Sequence, residues 1–397
     1  MTRRDDKTRI LISRPAAERL LNELSRRRFL AMTGGAAAAA FLAACGSDSK
    51  SGSAGTSAGT SGTSGGGDFA KKINMYTWAE YDSLDLLKRW GDINLTIFNS
   101  NEEAIQKLVS GGGSSGFDMV VPTGPYIPQM ATANLLLELD HSKIANFANL
   151  DPLYTNQPWD QGNKYSVCKN WGTTGWIYDT KVVTKEIKTW ADFIQAAMGE
   201  AKGQTSVLDT APNLCGIYFW ANGMDWNTED KAALDSCEDF MVNQFATSIK
   251  AFDSYPGINL TQGNYALSQV WNGDARQGLL GVEQAGGDVN QYKWGLGAPQ
   301  TELWMDNWCI LKEAKNVDAS YDFINFILDP DNSLEDLQFH GYNTGIKGIV
   351  DLAKDVELKD MIFFDDAAVA TMKAQVINTA QERKVQIYSN VKAKAGG

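Results

Sequence analysis

The feature that most constrains the fold is an alternation of strand-like and helix-like segments along the chain. Residues 73–76 and 95–98 are short runs rich in β-forming side chains, and residues 84–90 between them carry apolar side chains at helical spacing. A buried-strand pattern at 117–121 follows a helical pattern at 102–109. This alternation predicts an α/β fold in which parallel strands are joined by crossover helices.

The same alternation continues in the second half of the chain. Residues 190–198, 231–245 and 265–270 have helical patterns, which predict a second α/β body. From residue 68 to the end there are 330 residues, which is too many for a single hydrophobic core. We therefore expect two lobes.

Residues 1–44 have the features of a targeting segment and are excluded from reasoning about the fold. Ser-Arg-Arg-Arg-Phe-Leu at 25–30 matches a twin-arginine export signal. The Ala-rich run at 29–44 is shorter than the roughly 20 residues that a membrane-spanning helix needs. Leu-Ala-Ala-Cys at 42–45 is typical of a lipobox, so we expect Cys45 to be lipidated and to become the mature N-terminus. The alternative is a plain signal peptide with an incidental cysteine.

Residues 45–67 predict a disordered tether. They are mainly Gly, Ser, Thr and Ala, and such a chain cannot bury enough apolar surface to offset the entropy lost on ordering. About 22 residues of this composition give a root-mean-square reach of roughly 25 Å. We therefore expect a globular domain held by its lipid anchor on the outer face of the cytoplasmic membrane.

The charge balance argues against nucleic acid as a partner. The whole chain has 36 Lys and Arg residues and 48 Asp and Glu residues. Residues 1–44 contain nine of the basic and four of the acidic side chains, so the remainder carries a net charge of −17. A surface this acidic repels phosphate groups and favours cationic small molecules over anions.

A carboxylate lies between two tryptophans in Leu-Trp-Met-Asp-Asn-Trp-Cys-Ile-Leu at 303–311, a predicted strand that leads into a helix ending before Pro330. An aromatic face attracts a cation by about 0.5 to 2 kcal/mol, and a carboxylate adds a charge-assisted hydrogen bond. Asp306 with Trp304 and Trp308 therefore indicates an amine site. The alternative is that both tryptophans belong to the core.

Trp-Met-Asp at 304–306, the apolar strand after it and Ile-Asn-Phe-Ile-Leu-Asp-Pro at 324–330 resemble the spermidine/putrescine-binding proteins of ABC import systems. Other segments resemble the same family in the same order. They are Tyr-Thr-Trp-Ala-Glu-Tyr at 76–81, Ser-Asn-Glu at 100–102, Phe-Asp-Met-Val-Val-Pro-Thr at 117–123, Asn-Phe-Ala-Asn-Leu-Asp-Pro at 146–152, Thr-Trp-Ala-Asp at 189–192, Val-Trp-Asn-Gly at 270–273 and Gly-Tyr-Asn-Thr at 341–344. The resemblance spans about 73–350.

This resemblance implies a periplasmic-binding-protein-like (type II) α/β fold, with two lobes, a hinge and a ligand cleft between the lobes. The chain would cross between lobes near 171–175, at 304–306 and near Val350. The implied boundaries are 68–174 plus 305–350 for lobe 1 and 175–304 plus 351–397 for lobe 2.

The resemblance also implies ligand-binding residues, one motif at a time. In the polyamine binders the Trp and Tyr of a Trp-x-x-Tyr loop flank the methylene chain, which points to Trp78 and Tyr81, with Glu80 as a candidate amine acceptor. The Trp-Met-Asp motif adds Trp304 and Asp306, and we expect Asp306 to be the principal amine acceptor. The remaining motifs add Thr123, Trp271 and Tyr342. For each aromatic residue the alternative is ordinary core packing.

The chain departs from the family in two loops. Gly-Pro-Tyr at 124–126 keeps only one ring of an aromatic pair. Where spermidine binders have two acids three residues apart, this chain has Thr210 and Asn213. An ammonium without its counter-charge would cost several kcal/mol of desolvation. Either Asp209 replaces the missing acids, or the ligand is shorter, less charged at that end or differently shaped, so we expect spermidine not to be the best ligand.

Four cysteines remain once Cys45 is assigned to lipid, and they allow three pairings. The resemblance places Cys168 and Cys309 near the hinge, while Cys215 and Cys237 flank one helical hairpin. We favour the pairs 168–309 and 215–237. The alternative is four buried free thiols.

No catalytic constellation is visible. The two histidines, His141 and His340, lack the spacing of a metal site, and no His-based triad is evident. His340, at a predicted helix end, is interpreted as a capping or surface residue. The sequence predicts no enzymatic activity, no cofactor and no metal.

The sequence thus predicts a monomeric substrate-binding lipoprotein that closes over a small cationic amine and delivers it to the transmembrane subunits of an ABC permease. The alternatives are a receptor for a mono-amine, an amino acid or a quaternary amine, a sensory module, and an extracytoplasmic enzyme on the same fold.

Overall fold

A computed structural model describes residues 69–396 of the chain. The predicted signal segment 1–44, the lipidation site Cys45 and the tether 45–67 lie outside these residues. Across the described range, no helix combines the length and the apolar character that crossing a bilayer would require.

The described strands form a mixed sheet with the order β2-β1-β3-β9-β4-β7-β5-β6, in which β10 also pairs with β9 and β8 with β4. The strands are β1 (Lys72–Thr77), β2 (Asp92–Ile97), β3 (Met119–Val120), β4 (Ser166–Asp179), β5 (Thr205–Leu208), β6 (Ile249–Asp253), β7 (Leu267–Trp271), β8 (Tyr292–Leu296), β9 (Thr301–Ile310) and β10 (Met372–Ala374).

Helices pack around this sheet, and short 3-10 turns connect several elements. The α-helices are α1 (Leu84–Trp90), α2 (Asn101–Ser110), α3 (Ile127–Thr132), α4 (Trp190–Met198), α5 (Ala211–Ala221), α6 (Lys231–Phe240), α7 (Pro256–Thr261), α8 (Asn272–Gln284), α9 (Val317–Ile327), α10 (Pro330–His340), α11 (Ile349–Leu352), α12 (Asp366–Val369) and α13 (Gln381–Ala395). A π-helical turn, Met241–Phe245, extends α6.

Local sequence signals account for several helix ends. The side chains of Ser83, Ser100 and Asp230 accept hydrogen bonds from backbone N–H groups in the first turns of α1, α2 and α6. Thr189 and Asp192 form a capping box at the start of α4. These caps satisfy donors that have no partner within the helix, and they fix where each helix begins.

Two long antiparallel strands, β4 and β9, join two parallel halves of the sheet. On one side β1 pairs in parallel with β2 and β3, and on the other β5 pairs in parallel with β6 and β7. The pairing of β4 changes from β9 to β7 and β8 between Thr173 and Thr174. The α/β pattern expected from the sequence is confirmed, while the lobe boundaries stay a prediction.

One predicted element is wrong. Residues 265–270 were expected to be helical, but Leu267–Trp271 form β7, which lies between β4 and β5. A strand in the middle of a sheet is covered on both faces, so it need not alternate between polar and apolar residues. The apolar residues Leu267, Val270 and Trp271 instead fall at the i, i+3, i+4 spacing of a helix.

The four cysteines are buried and free, so neither predicted disulfide is formed in the structure. Between β4 and β9, Cys168 lies opposite Asn307 and not opposite Cys309. Cysteines in such a diagonal position have Cα atoms about 7 to 8 Å apart, beyond the usual disulfide range. The thiols of Cys215 and Cys237 do contact each other in the core, and their pairing stays a prediction.

Candidate functional site

Tyr81 and Asp306 meet in the centre of the molecule, although they are 225 residues apart. The Tyr81 hydroxyl donates a 2.8 Å hydrogen bond to Asp306 Oδ2, and Asn170 Oδ1 also lies against this hydroxyl. β4 and β9 set this arrangement, because Asn170 is the cross-strand partner of Asp306. A tyrosine hydroxyl carries one hydrogen, so it cannot donate to both oxygens at once. One of these two oxygens therefore receives no hydrogen from Tyr81.

Asp306 is a buried carboxylate with unused hydrogen-bonding capacity. Its side chain is 6% exposed, and its Oδ1 atom accepts no hydrogen bond from the described residues. Burial raises the pKa of Asp306 to about 6, an effect opposed by the nearby hydroxyls of Thr123 and Tyr81 and by the charge of Lys169. A cationic donor at Oδ1 would complete this site.

Two aromatic rings lie beside the carboxylate. Trp304, two residues before Asp306 on β9, meets Tyr342 edge to face with ring centroids 4.7 Å apart. Gly172 faces Trp304 across the strand pair, and a Cβ atom at this glycine would lie 2.4 Å from the Trp304 ring and 2.9 Å from the Tyr342 ring. The absence of a side chain at position 172 therefore gives the two rings their space.

Two further acids, Asp274 and Glu80, lie near these rings. The Tyr342 hydroxyl donates to Asp274, in the first turn of α8. Burial raises the pKa of Asp274 to about 6, and burial together with the Asp274 charge raises the pKa of Glu80 to about 7. Glu80 also has a left-handed backbone, with φ of 57°, which costs a non-glycine residue roughly 1 to 2 kcal/mol. Strained residues of this kind concentrate at functional sites.

Three further predicted residues occupy different surroundings. Trp78 is half-buried; its Nε1 atom donates to the carbonyl of Val121, and its ring contacts Phe98, so it is partly committed to packing. Thr123 forms an isolated β-bridge with Asp306, and its position is fixed by hydrogen bonds with the Asn101 amide. Trp271 is half-buried at the end of β7 and precedes α8.

Asp209 is already paired elsewhere. Its Oδ1 atom accepts a hydrogen bond from Tyr388 and lies 2.8 Å from Nζ of Lys392, both on α13. To act as a ligand acceptor in place of the missing loop acids, Asp209 would have to break this ion pair. Its predicted role in binding stays untested.

One of the two positions that lack the family's acids, Asn213 in the first turn of α5, contacts an acid from another element. Thr210 caps α5. The Asn213 amide donates to Glu302 Oε2 over 2.5 Å and to the Thr174 hydroxyl over 3.2 Å. Glu302 lies on β9, four residues before Asp306, and the sequence analysis did not single it out. The alternation of Glu302, Trp304 and Asp306 along a strand is the signal that would have found it.

The space beside Gly124 is filled by a residue that is distant in the sequence. A Cβ atom at Gly124 would lie 2.2 Å from the Trp159 ring. The ring of Trp159, which comes from a separate segment, therefore leaves no room for a side chain at Gly124.

A buried lysine, Lys169, packs against the ring of Tyr81 and pairs with two acids. Lys169 Nζ lies 3.0 Å from Asp82 Oδ1 and 3.2 Å from Asp336 Oδ2, and all three side chains are almost fully buried. The same ammonium faces the rings of Tyr81 and Trp308, with centroids at 4.6 and 4.4 Å. Trp308 is therefore a core residue, in agreement with the alternative interpretation from the sequence.

His340 is buried and not on the surface, which corrects the sequence interpretation. It lies in the last turn of α10, where its Nδ1 atom accepts from the backbone N–H of Tyr342 and its Nε2 atom is 3.2 Å from Asp336. Desolvation lowers the pKa of His340 and the charge of Lys169 adds to this effect, which outweighs the charge and hydrogen bond of Asp336. Its role is to orient the chain that carries Tyr342.

The described residues contain no group of three or more His, Cys, Asp or Glu side chains suited to a metal ion. The assembled chemistry is instead a set of buried carboxylates with few donors, lined by aromatic faces. Such a set can hold a cation by hydrogen bonds and ring contacts.

Comparisons with known proteins agree with this chemistry. The family described as bacterial extracellular solute-binding protein matches residues 87–369. Spermidine/putrescine-binding periplasmic protein 1 of Haemophilus influenzae is 30% identical over 64% of this chain and 70% of that protein. The spermidine/putrescine-binding periplasmic protein of Escherichia coli is 28% identical over 68% of this chain and 77% of that protein.

Solved structures support the fold. The spermidine/putrescine ABC transporter substrate-binding protein of Streptococcus pneumoniae superposes with a TM-score of 0.66 at 26% identity, over 82% of this chain and 98% of that chain. The predicted two-lobed, periplasmic-binding-protein-like fold is therefore confirmed. The chain belongs to the bacterial extracellular solute-binding proteins and, within them, to the spermidine/putrescine-binding family of ABC transport systems.

Proposed function

We propose that this protein captures a polyamine or a related linear amine in the cleft around Asp306 and delivers it to the transmembrane subunits of an ABC permease. The protein acts as a monomer, and closure of its two lobes is stabilised by contacts that the ligand makes to both. Relatives that bind spermidine and putrescine support the choice of ligand class.

The observation that carries this proposal is the state of Asp306. A buried carboxylate with an unpartnered oxygen, next to the rings of Trp304 and Tyr342, presents an acceptor and aromatic faces to the same small volume. An ammonium with an alkyl chain satisfies both features, because its N–H groups donate to the oxygen and its methylenes pack on the rings. An anion would meet only repulsion from the surrounding acids.

The direct test replaces Asp306 by Asn, which keeps the shape and removes the charge. Loss of a charge-assisted hydrogen bond weakens binding by about 1.5 to 3 kcal/mol, or roughly ten- to a hundredfold. Calorimetry with spermidine and putrescine measures this loss. Asp92→Asn is the matched control, because Asp92 lies on the exposed edge strand β2 and pairs with a surface lysine. Equal affinities in the parent protein and Asp306→Asn would contradict the assignment.

The ligand class is tested by a thermal-shift screen of polyamines, amino acids, quaternary amines and sugars. A ligand at 100 times its dissociation constant adds about 2.7 kcal/mol to the free energy of unfolding, which is easily measured. A shift for sugars or amino acids and none for amines would refute the proposal. Mass spectrometry of the amine after incubation adds a second check, since a binding protein leaves its ligand chemically intact.

We further propose that Cys45 carries lipid and holds the protein on the outer face of the cytoplasmic membrane. The order of twin arginines, apolar run, Leu-Ala-Ala-Cys and polar tether supports this placement. Cys45→Ala should release folded protein into the soluble fraction. If the variant and the parent protein partition with membranes equally, this proposal is refuted.

A further inference from the structure

Glu302, Trp304 and Asp306 occupy alternate positions of β9. Successive side chains of a strand point to opposite faces, so these three side chains leave β9 on the same face. The order acid, aromatic ring, acid along one face suits a molecule with two cationic ends and an apolar middle. The described residues thus offer a second carboxylate in line with Asp306.

Glu302 is a buried hydrogen-bond acceptor that has no cationic partner among the described residues. It is 5% exposed, and its Oε2 atom accepts hydrogen bonds from Asn213 over 2.5 Å and from the Thr174 hydroxyl over 2.8 Å. No Lys or Arg among residues 69–396 forms an ion pair with Glu302. Burial raises the pKa of Glu302 to about 7. An unpaired buried carboxylate is costly, and a bound ammonium would remove that cost.

We propose that Glu302 is the second amine acceptor of the cleft and takes over the role of the two loop acids that Thr210 and Asn213 replace. This inference rests on the proposed function. It makes the preferred ligand a linear amine with two cationic nitrogens, whose methylenes lie over Trp304. It also overrides the expectation that this end of the cleft lacks a counter-charge.

The strand geometry sets the length of that ligand. Four residues of an extended strand separate the Cα atoms of Glu302 and Asp306 by about 13 Å. Because the side chains leave the strand in parallel, their carboxylates are also about 13 Å apart. One hydrogen bond of about 2.8 Å from each carboxylate to a ligand nitrogen then leaves roughly 7 Å between the two nitrogens. A bond of about 1.5 Å advances an extended alkyl chain by about 1.25 Å, so four to five methylenes fill this gap. The ligand is a diamine of that length, or a longer polyamine that contains one.

The test compares 1,4-diaminobutane with 1-aminobutane, which has the same alkyl chain and a single amine. In Glu302→Gln, affinity for the diamine should fall about ten- to a hundredfold, while affinity for the mono-amine should not change. Asp306→Asn should weaken both ligands. Glu283→Gln is the control, since Glu283 is exposed on α8, about 16 Å along the helix axis from the end that carries the site.

A rescue variant distinguishes a binding role from a structural one. Because the Asn213 amide touches Glu302, Glu302→Gln combined with Asn213→Asp returns a carboxylate to the same corner of the cleft. This double variant should regain most of the affinity for the diamine. Glu302→Asp keeps the charge but withdraws it by about 1.5 Å toward the strand, so it should weaken binding of 1,4-diaminobutane and leave binding of 1-aminobutane unchanged.

The outcomes separate this inference from the function on which it rests. If the parent protein binds no amine, the proposed function fails. If the parent protein binds amines, but Glu302→Gln leaves diamine affinity unchanged or lowers both ligands equally, the inference alone is overturned. Should Glu302→Gln fail to fold by thermal unfolding, Glu302→Asp decides, and an unchanged affinity for 1,4-diaminobutane in that variant overturns the inference.

Discussion

Amine binding should release protons, because the cleft acids are partly protonated before the ligand arrives. Burial raises the pKa of Glu302 to about 7 and that of Asp306 to about 6. An ammonium stabilises the ionised form of each carboxyl, so both pKa values fall in the complex. The ligand amines, with pKa values near 10, stay charged throughout this range. Lowering the pH should therefore weaken binding because the carboxyls of the protein become protonated, while the charge of the ligand does not change.

The magnitude follows from the two pKa values. At pH 6.5 a carboxyl with a pKa of about 7 is about three-quarters protonated, and one with a pKa of about 6 is about one-quarter protonated. Binding at this pH should release about one proton. Summed from pH 8.5 to pH 5.5, the effect should lower affinity about 100-fold, or about 2.7 kcal/mol. Glu80 and Asp274, whose pKa values are also raised, add to the release if the ligand contacts them.

Calorimetry in buffers of different ionisation enthalpy measures the released protons directly. At pH 6.5 the Glu302→Gln variant should release about one-quarter of a proton and Asp306→Asn about three-quarters. Affinities that are equal at pH 5.5 and pH 8.5, or a binding enthalpy that does not depend on the buffer, would refute the reasoning that these buried acids meet the cation.

Three other measurements test the rest of the centre. Gly172→Ala places a Cβ atom 2.4 Å from the Trp304 ring, so it should cost about 1 to 3 kcal/mol and weaken amine binding, as thermal unfolding with and without ligand will show. Lys169→Met leaves two buried acids without their cation and should lower the free energy of unfolding by about 3 to 5 kcal/mol. Adding Asp82→Asn and Asp336→Asn should recover much of that loss in chemical denaturation. The ligand-free protein should lose stability between pH 5 and pH 8, because acids whose folded pKa is raised stabilise the fold below their unfolded pKa and lose that contribution as the pH passes 6 to 7. Stability that rises over this interval would contradict the pKa shifts.

The parts of the fold that sequence could predict are those with local causes. The segments now called β1, α1 and α2 were predicted from apolar spacing within a few residues. The error at 265–270 arose because β7 takes its conformation from its neighbours β4 and β5, which lie far away in sequence. Likewise, only the observed register of β4 against β9 shows that Cys168 and Cys309 are not opposite each other.

The residues of the site show the same contrast between local signals and contacts that are distant in sequence. Family motifs led to Tyr81, Asp306 and Trp304, and the structure does bring these residues together. Lys169 was missed because its partner Asp336 lies 167 residues away, and no local pattern marks a lysine as buried. Glu302 was missed for a different reason, since the family's second acids fall at Thr210 and Asn213 and the family motif on β9 covers only residues 304–306.

The position of Glu302 has a consequence for selectivity. If the second acid stood at the start of α5 instead, the distance between the two acceptors would depend on how that helix and β9 approach each other. Here both acceptors stand on β9, a strand paired on both sides. The predicted crossing between lobes at 304–306 lies between them, but bending an extended strand at one point changes a separation of about 13 Å very little, so strand geometry sets their spacing. A rigid spacing penalises a diamine of the wrong length, because one ammonium must then leave its carboxylate in a dry cleft. We therefore expect affinity across a series of α,ω-diamines to peak sharply at four to five methylenes in the parent protein. In the variant that combines Glu302→Gln with Asn213→Asp, the acid stands on the first turn of α5 and no longer on β9, and the peak should broaden. Profiles of equal width in the two proteins would show that the strand does not set the length.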